Sequence, residues 1–477
     1  FALILNCILF QINLLNVINM NKDCFTPNVE HIKNIIILYL IIYLPYYNFS
    51  LMADWMPLYK IFSPIMLPRF FRIFEMMLIF GLYYFLYIFN VKKNIIMNIL
   101  LFFISFQILR ILFSFDFMIM PFRLFSIFTN FGHFLFFFIL IHLPIKENDL
   151  NKIINFYRKY FIFNLLLIFL IIFPLYNFQR EDILNGTYQN SHIFGVYLYL
   201  VSNYFFYKWI ITSKIRFLFL SFLFLILQYF PSNEKIIILN ILMFIFLSLT
   251  FKKIEIKTIL LALTISFIAL GIILLIGDIL GGLRLGKILK ILSQQNIGFI
   301  LSWPLLLSKL NSFIDFIFGI GPGFYASRGA IQLYKYGYNI PLSDVFKFQL
   351  DNPYYNSAYQ ILWNILTNLI GEYGIIGLLC YIIFTYYLIL LVIKSKCLAI
   401  EYKVIFISGL ASVIYQDLIN STGFVEILIF PLMLVPALAY KSNYDNEMRK
   451  DFIIYYKIIN LINKFKNKII HLLINNN

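Results

Sequence analysis

Charge is scarce in this chain. Charged residues make up 13% of its 477 positions, about half the share usual in soluble domains, so a soluble globular surface is excluded. Cysteine is scarce as well. The four cysteines, Cys7, Cys24, Cys380 and Cys397, form no CxxC pair, and three of them lie in or beside apolar segments; neither a metal site nor a disulfide framework is indicated. The first apolar run, residues 1 to 18, lacks a basic leading region and a small-residue cleavage pattern, and is read as a membrane helix rather than a removable signal. No internal repeat and no low-complexity linker marks off a second, soluble domain.

What is abundant is apolar surface: 62% of residues are hydrophobic and the mean hydropathy is +0.85. Runs such as "IIILYLIIYLPYYNFSLM" and "IEIKTILLALTISFIALGIILLIG" reach the roughly 20 residues needed to cross a bilayer as a helix. The expected fold class is all-α, a polytopic integral membrane helical bundle. The net charge of +16 raises the question of nucleic acid, but the lysines sit in short connections between apolar runs. Positive-inside topology accounts for them, and no nucleic-acid partner is expected. Basic connections at Lys92/Lys93, Lys146 to Lys159, Lys208 to Arg216, Lys252 to Lys257 and Lys394 to Lys403, with the tail after Lys441, are placed in the cytoplasm.

Spans then fall near 1 to 18, 34 to 52, 74 to 90, 95 to 113, 124 to 143, 160 to 178, 192 to 211, 216 to 231, 236 to 251, 257 to 277, 374 to 393, 404 to 420 and 424 to 440. That is about 12 to 13 transmembrane helices. The organisation divides into N-terminal transmembrane helices (1–277), one large extracytoplasmic loop with amphipathic helices (278–373), C-terminal transmembrane helices (374–440) and a basic cytoplasmic tail (441–477). Spaced lysines among Ile and Leu suit that tail to the membrane surface; a solvated tail is the alternative. The segment "YQILWNILTNLIGEYG" is read as an outside helix lying on or dipping into the bilayer, broken between Gly371 and Gly374 before the next true span.

A loop as long as 278 to 373 is where function is sought first. It opens with "DILGGLRLGKILKILSQQ", in which Arg284, Lys287 and Lys290 recur at three-residue intervals and share one helix face. Snorkelling at a helix end is the competing explanation for Lys287 and Lys290. An outside arginine at 284 runs against the positive-inside bias and calls for a ligand. Next, a short apolar helix with Trp303 and Lys309 leads into "FGIGPGFYASRG". Glycines at 319, 321 and 323 permit positive φ and close backbone approach, and Pro322 stiffens the turn. No strand precedes the glycines, so a dinucleotide site is not indicated; a tight turn between two interfacial helices is the alternative to a ligand loop.

The order of these features resembles the O-antigen polymerase and O-antigen ligase superfamily of membrane glycosyltransferases. The resemblance rests on the arginine-bearing helix start, the tryptophan-containing helix, "FGIGPGFY", and "WNILTNLIGEYGIIGLLCYIIF", where Asn364, Glu372, Gly374 and Gly377 match an Asn-containing helix followed by Glu-x-Gly-x-x-Gly. "NGTYQNSHIFGVYL" is similar to a G-x-x-x-N-x-x-x-x-G segment entering a span, and "PSNEKIIILNILMF" to a Ser-x-x-Arg/Lys turn entering the next. Together these cover roughly residues 180 to 440. Trp363 stands where ligases of the family carry histidine, which favours polymerase. "NIGFILSW" lacks a second arginine and leaves Arg328, Lys309 or Arg284 for the phosphate role.

The resemblance implies polymerisation of undecaprenyl-pyrophosphate-linked oligosaccharide repeat units into a surface polysaccharide, such as O-antigen or capsule, in the bacterial inner membrane. It implies no cofactor and no metal; the partners are lipid-linked glycans, membrane lipids and a chain-length regulator protein. The chemistry calls for cations on the departing pyrophosphate and an acceptor near the attacking hydroxyl. Arg284 and Arg328 are the candidates for the first task, and Asp351 and His192 for the second. Lys287, Lys309, Gly321, Gly323, Asn190, Asn352, Tyr354, Tyr355 and Asn364 are candidates for binding substrate, and Glu372 for fixing the helix break. A metal-dependent lipid-linked glycosyltransferase would need paired acids in its first outside loop, yet residues 53 to 72 hold Asp54 alone. A ligase, or a flippase or transporter, remains the alternative, although a transporter is expected to show repeats and short loops.

Overall fold

A computed structural model describes residues 33–41, 95–113, 118–168, 191–228, 234–251, 264, 303–325, 330, 333–334, 337–339, 365–396, 398–419 and 431–442. Its helices, in chain order, are α1 (Ile95–Leu112), α2 (Met120–His142), α3 (Glu147–Leu167), α4 (Ser191–Thr212), α5 (Ile215–Leu227), α6 (Glu234–Phe251), α7 (Phe313–Phe318), α8 (Ile365–Lys394) and α9 (Ile400–Ile419). Helical turns also occur over 33–41, 303–309 and 431–442, and no strand occurs among the described residues. The all-α expectation is met.

Local sequence explains where these helices begin and end. Proline in the first turn of α2 needs no N–H partner there and has its φ preset. Glu147 and Asp149 fill the first turn of α3, and the Asp149 carboxylate accepts the N–H of Lys146 at 3.0 Å, which caps the helix and complements its dipole. The basic stretch from Lys146 to Lys159, expected as a connection, is therefore mostly the first half of α3. In α8 the helix is interrupted at Gly374, where φ is 71° and ψ −175°. The expected break between Gly371 and Gly374 falls at the last of those residues.

Three described helices, α1, α2 and α8, are long and apolar enough to cross a membrane. The 18 residues of α1 extend about 27 Å, and residues 375–394 beyond the break about 30 Å, at 1.5 Å per residue. α2 is the central element of the three, with 83% of its apolar window buried. Its phenylalanines interlock with α8: Phe131 meets Tyr373 edge-on at 5.1 Å, and Phe134 meets Phe384 at 4.8 Å. A second group forms around α4, which packs against α5, α6 and α9. Ser202 and Ser221 exchange hydrogen bonds with each other's carbonyls at 2.8 and 2.9 Å, a close α4–α5 approach made by small polar residues, as is usual between helices in lipid. One buried core joins both groups.

The two ends of this bundle differ. At one end, four basic connections meet: Lys208 pairs with Glu401 at 2.8 Å, Tyr402 donates to Asn151, Ser395 bonds Ser442 at 3.0 Å, and Lys33 reaches Asp149 at 4.0 Å. At the other end lie Arg110 in the last turn of α1, Arg123 in the first turn of α2 and Glu372 just before the break in α8. Helices α2 and α8 both run from the second end to the first.

Candidate functional site

The site is assembled on the glycine turn. Ser312 caps the six-residue helix α7 by accepting the N–H of Asp315 at 3.1 Å, and Gly319, at φ 74°, ends it. A Cβ at Gly319 would lie 2.3 Å from the main-chain carbon of Glu372, and one at Gly374 would lie 2.0 Å from the carbonyl oxygen of Ile317. The α7–turn segment and the α8 break thus cross with backbone against backbone, and no side chain fits between them. Both positions also hold positive φ, the region that glycine alone enters without strain.

Hydrogen bonds fasten this crossing. The N–H groups of Ile320 and Gly321 donate to the carbonyls of Gly371 and Glu372 at 2.8 and 3.1 Å. Those of Gly323 and Tyr325 donate to the Glu372 side chain, at 2.9 Å to Oε2 and 3.3 Å to Oε1. Phe324 donates to Gly321 at 3.2 Å and Gly319 to Asp315 at 2.7 Å. Pro322 has no N–H to give. Every main-chain donor from Gly319 to Tyr325 is therefore engaged inside the protein.

Glu372 is fully buried and receives a third donor, the hydroxyl of Ser126. Serine has one O–H, so the 2.8 Å contact between Ser126 and the Tyr373 hydroxyl must be donated by the tyrosine. The Asn130 amide in turn donates to Tyr373 at 3.4 Å and to the Ser126 carbonyl at 3.1 Å. A directed chain, Asn130 to Tyr373 to Ser126 to Glu372, thereby ties α2 to α8 beneath the turn. Such a chain satisfies polar groups that would be costly to bury alone.

Two guanidinium groups complete the site from the α1 and α2 side. Arg110 donates from its two terminal nitrogens to the carbonyls of Phe318 and Gly319, at 2.9 and 2.8 Å. Arg123 is buried, donates from Nε to the Pro322 carbonyl at 3.1 Å, and lies 4.5 Å over the ring of Phe324. A small apolar cluster of Leu306, Tyr325, Leu333, Ile119 and Ile370, with Trp303 packed against it, covers the turn. Burial raises the Tyr325 phenol above its ordinary range.

Of the residues singled out in the sequence, Gly321 and Gly323 are in the turn, both buried and with φ of 124° and 76°. Their close approaches are within the protein: a Cβ built at Gly321 would meet the Phe324 ring at 3.3 Å and the Arg123 side chain at 3.4 Å, and one built at Gly323 would meet the Cα of Arg123 at 3.1 Å. Lys309 is half-buried at the end of helical residues 303–309 and is joined to the turn by no hydrogen bond or ion pair among the described residues. His192 falls in the first turn of α4. Arg284, Lys287, Arg328, Asp351, Asn352, Tyr354, Tyr355, Asn364 and Asn190 lie outside the described residues. Glu372, expected to fix the helix break, does more, since it holds the turn from 49 residues away.

Sequence reasoning passes over Arg110, Arg123, Ser126 and Asn130. A signal for the two arginines exists: each is a lone cation in or beside an apolar span, "FQILRILF" and "MPFRLFS", and such residues mark function or a buried partner by default. Nothing in the sequence marks Ser126 or Asn130 as partners of a carboxylate. Among the described residues no group of three or more His, Cys, Asp or Glu is placed to hold a metal ion. Comparison with protein-family models, curated proteins and solved structures found no match.

Proposed function

We propose that this chain is a membrane glycosyltransferase that polymerises undecaprenyl-pyrophosphate-linked oligosaccharide repeat units, working at the end of a polytopic bundle opposite the basic connections. The observation that carries the reading is the join between "FGIGPGFY" and "GEYGIIG". These two pieces of the sequence resemblance are separated by some 49 residues, and Glu372 with the Gly374 break makes them one rigid unit. Two motifs held together in this way behave as parts of one site rather than as independent turns.

In the reaction envisaged, the terminal sugar hydroxyl of one lipid-linked unit attacks the anomeric carbon of another. A new C–O bond forms there as the bond to the pyrophosphate breaks. The bonding electrons leave with the lipid pyrophosphate, and the hydroxyl proton passes to a nearby acceptor. The demand on the protein is to hold cations where the leaving group gathers charge and to fix the two reactants in line. Arg284 and Arg328 on the long loop remain candidates for the first role, and Asp351 and His192 for the proton.

The test is deletion of the gene in its host followed by separation of surface polysaccharide by size. Single repeat units in place of a ladder are the expected result. Unattached polymer would instead identify a ligase, and lipid-linked units trapped inside a flippase. An unchanged ladder would overturn the whole reading.

A further inference from the structure

Residues 303–318 are apolar at both ends and polar in the middle, with "WPLLL" and "FIDFIF" flanking "SKLNS". The helix breaks off over 310–312, between helical residues 303–309 and α7, so neither piece has the roughly 20 residues needed to cross a bilayer. Yet these pieces keep large apolar side chains in the open. Phe313 is 76% exposed, Ile314 68% and Leu307 61%. Such a patch on a folded protein marks a surface that something else covers.

The depth of α7 says what that is. The ring of Phe318, its last residue, packs against Phe106 of α1 at 5.9 Å, and Arg110 holds the Phe318 and Gly319 carbonyls. Phe106 lies six residues before the end of α1, about 9 Å back along the axis at 1.5 Å per residue. The six residues of α7 extend about 9 Å themselves, so even pointed straight outward α7 reaches no farther than the end of α1. That helix is long and apolar enough to cross a membrane, and Leu112 and Phe113 keep it apolar and exposed to its end. The exposed side chains of α7 therefore lie at the level of a lipid-facing span.

The turn meets the same requirement independently. Irregular backbone at membrane depth is tolerated only where the protein itself satisfies the polar groups. Every N–H from Gly319 to Tyr325 is engaged. Arg110 and Arg123 take the carbonyls of Phe318, Gly319 and Pro322, and Phe324 takes that of Gly321. A turn standing in water has solvent for these groups and needs no such set.

We propose that residues 303–318 form a re-entrant element seated in the leaflet at this end of the bundle, with Leu307, Phe313 and Ile314 among the acyl chains and Asn311 at the water boundary. The partner of the exposed patch is bilayer lipid. The glycine turn and its two arginines then stand at the depth of lipid headgroups rather than in open water. This seating concerns where the turn lies, and it holds whichever reaction the site performs.

The experiment uses the wild-type, full-length chain in phosphatidylcholine vesicles that include a phosphatidylcholine carrying a diazirine in the upper half of one acyl chain. Irradiation and peptide mass spectrometry locate lipid adducts, and hydroxyl-radical oxidation of the same vesicles locates side chains in water. Ile382 and Ile383, exposed on α8 beyond its break, serve as the lipid-facing reference. Adducts on residues 313–316 are expected within about threefold of those on 382–383, with oxidation of Phe313 and Phe316 at least about fivefold slower than in the urea-unfolded chain; on the order of these factors separates lipid from water contact. Adducts confined to the spans, with Phe313 and Phe316 oxidised as fast as in the unfolded chain, would place α7 in water and overturn the proposal. Neither adducts nor oxidation would assign the patch to a protein contact, such as a second copy of the chain, and overturn it as well. Either failure leaves the polymerase reading to the gene deletion, and an unchanged ladder there removes that reading without bearing on the depth of α7.

Discussion

The Glu372 carboxylate receives the N–H of Gly323 at 2.9 Å and that of Tyr325 at 3.3 Å, so one buried side chain of α8 grips the outgoing limb of the turn that follows α7. Removing its charge should loosen the turn without touching any surface. Glu372→Gln keeps the shape but turns an amide NH₂ toward donors, and a loss of about 1 to 3 kcal/mol is expected from the mismatched buried contacts. Thermal unfolding in detergent should show a lowered midpoint, and polymer length in cells should fall. A variant as stable and active as wild type would mean that the backbone pairing alone holds the turn.

Backbone crossing makes a sharper prediction about glycines. Gly319→Ala and Gly374→Ala each place a methyl within 2.3 Å of main-chain atoms, which cannot move aside as a side chain tip can. Backbone strain alone costs about 1 to 3 kcal/mol at positive φ, so both variants should accumulate poorly. Gly337 is the control. It too has positive φ, at 85°, but a Cβ there meets nothing within 4 Å, and Gly337→Ala should lose only about 1 to 2 kcal/mol. Equal expression of all three variants would refute the crossing.

At the basic end, Lys441 offers a pH test. Burial, helped by the charge of Lys33 and opposed by Asp149, lowers its pKa to about 8, against an ordinary value of about 10.4. Below pH 8 the lysine is charged in both folded and unfolded chains, and the folded state carries the full cost of burying that charge. Between pH 8 and about 10.4 the unfolded chain binds more protons, so stability rises with pH. Lys441→Met should therefore stabilise the protein at pH 7, with the gain shrinking toward pH 10. A gain that does not change with pH would assign the effect to packing.

The arrangement of the helices predicts sidedness. Asn311 is exposed beside α7, which docks on the start of α8, and Lys396 is exposed just past its end. Single cysteines at the two positions should react with a membrane-impermeant reagent from opposite faces of the bilayer. Reaction of both in intact cells would place α7 and the basic end on the same side and undo the topology.

Much of the architecture was legible because it follows from local pattern. The stretches read as spans at 95 to 113 and 192 to 211 are the helices α1 and α4, with bounds that differ by a residue at most at either end, and α1 is also long and apolar enough to cross a membrane; an apolar run bounded by polar residues has few other options in lipid. The break before residue 375 was legible for a similar reason, as paired glycines interrupt an otherwise unbroken apolar helix. The first half of α3 was missed as a helix because its lysines were weighed as topology markers, while the capping acid Asp149 was not weighed at all.

By itself the sequence determined that the chain is helical and apolar, where several helices start and stop, and that residues 319 to 323 turn sharply. Composition, capping residues and glycine spacing act over a few residues, and their physics is local. Only the tertiary structure decided what the turn is for. The partners of Gly323 and Tyr325 lie 47 to 49 residues away on α8, and those of Arg110 and Arg123 lie about 200 residues away on the turn. A sequence motif states which backbone shapes are allowed. Which carboxylate accepts the freed N–H groups, and which cations close over the carbonyls, depends on helices packed together from distant parts of the chain.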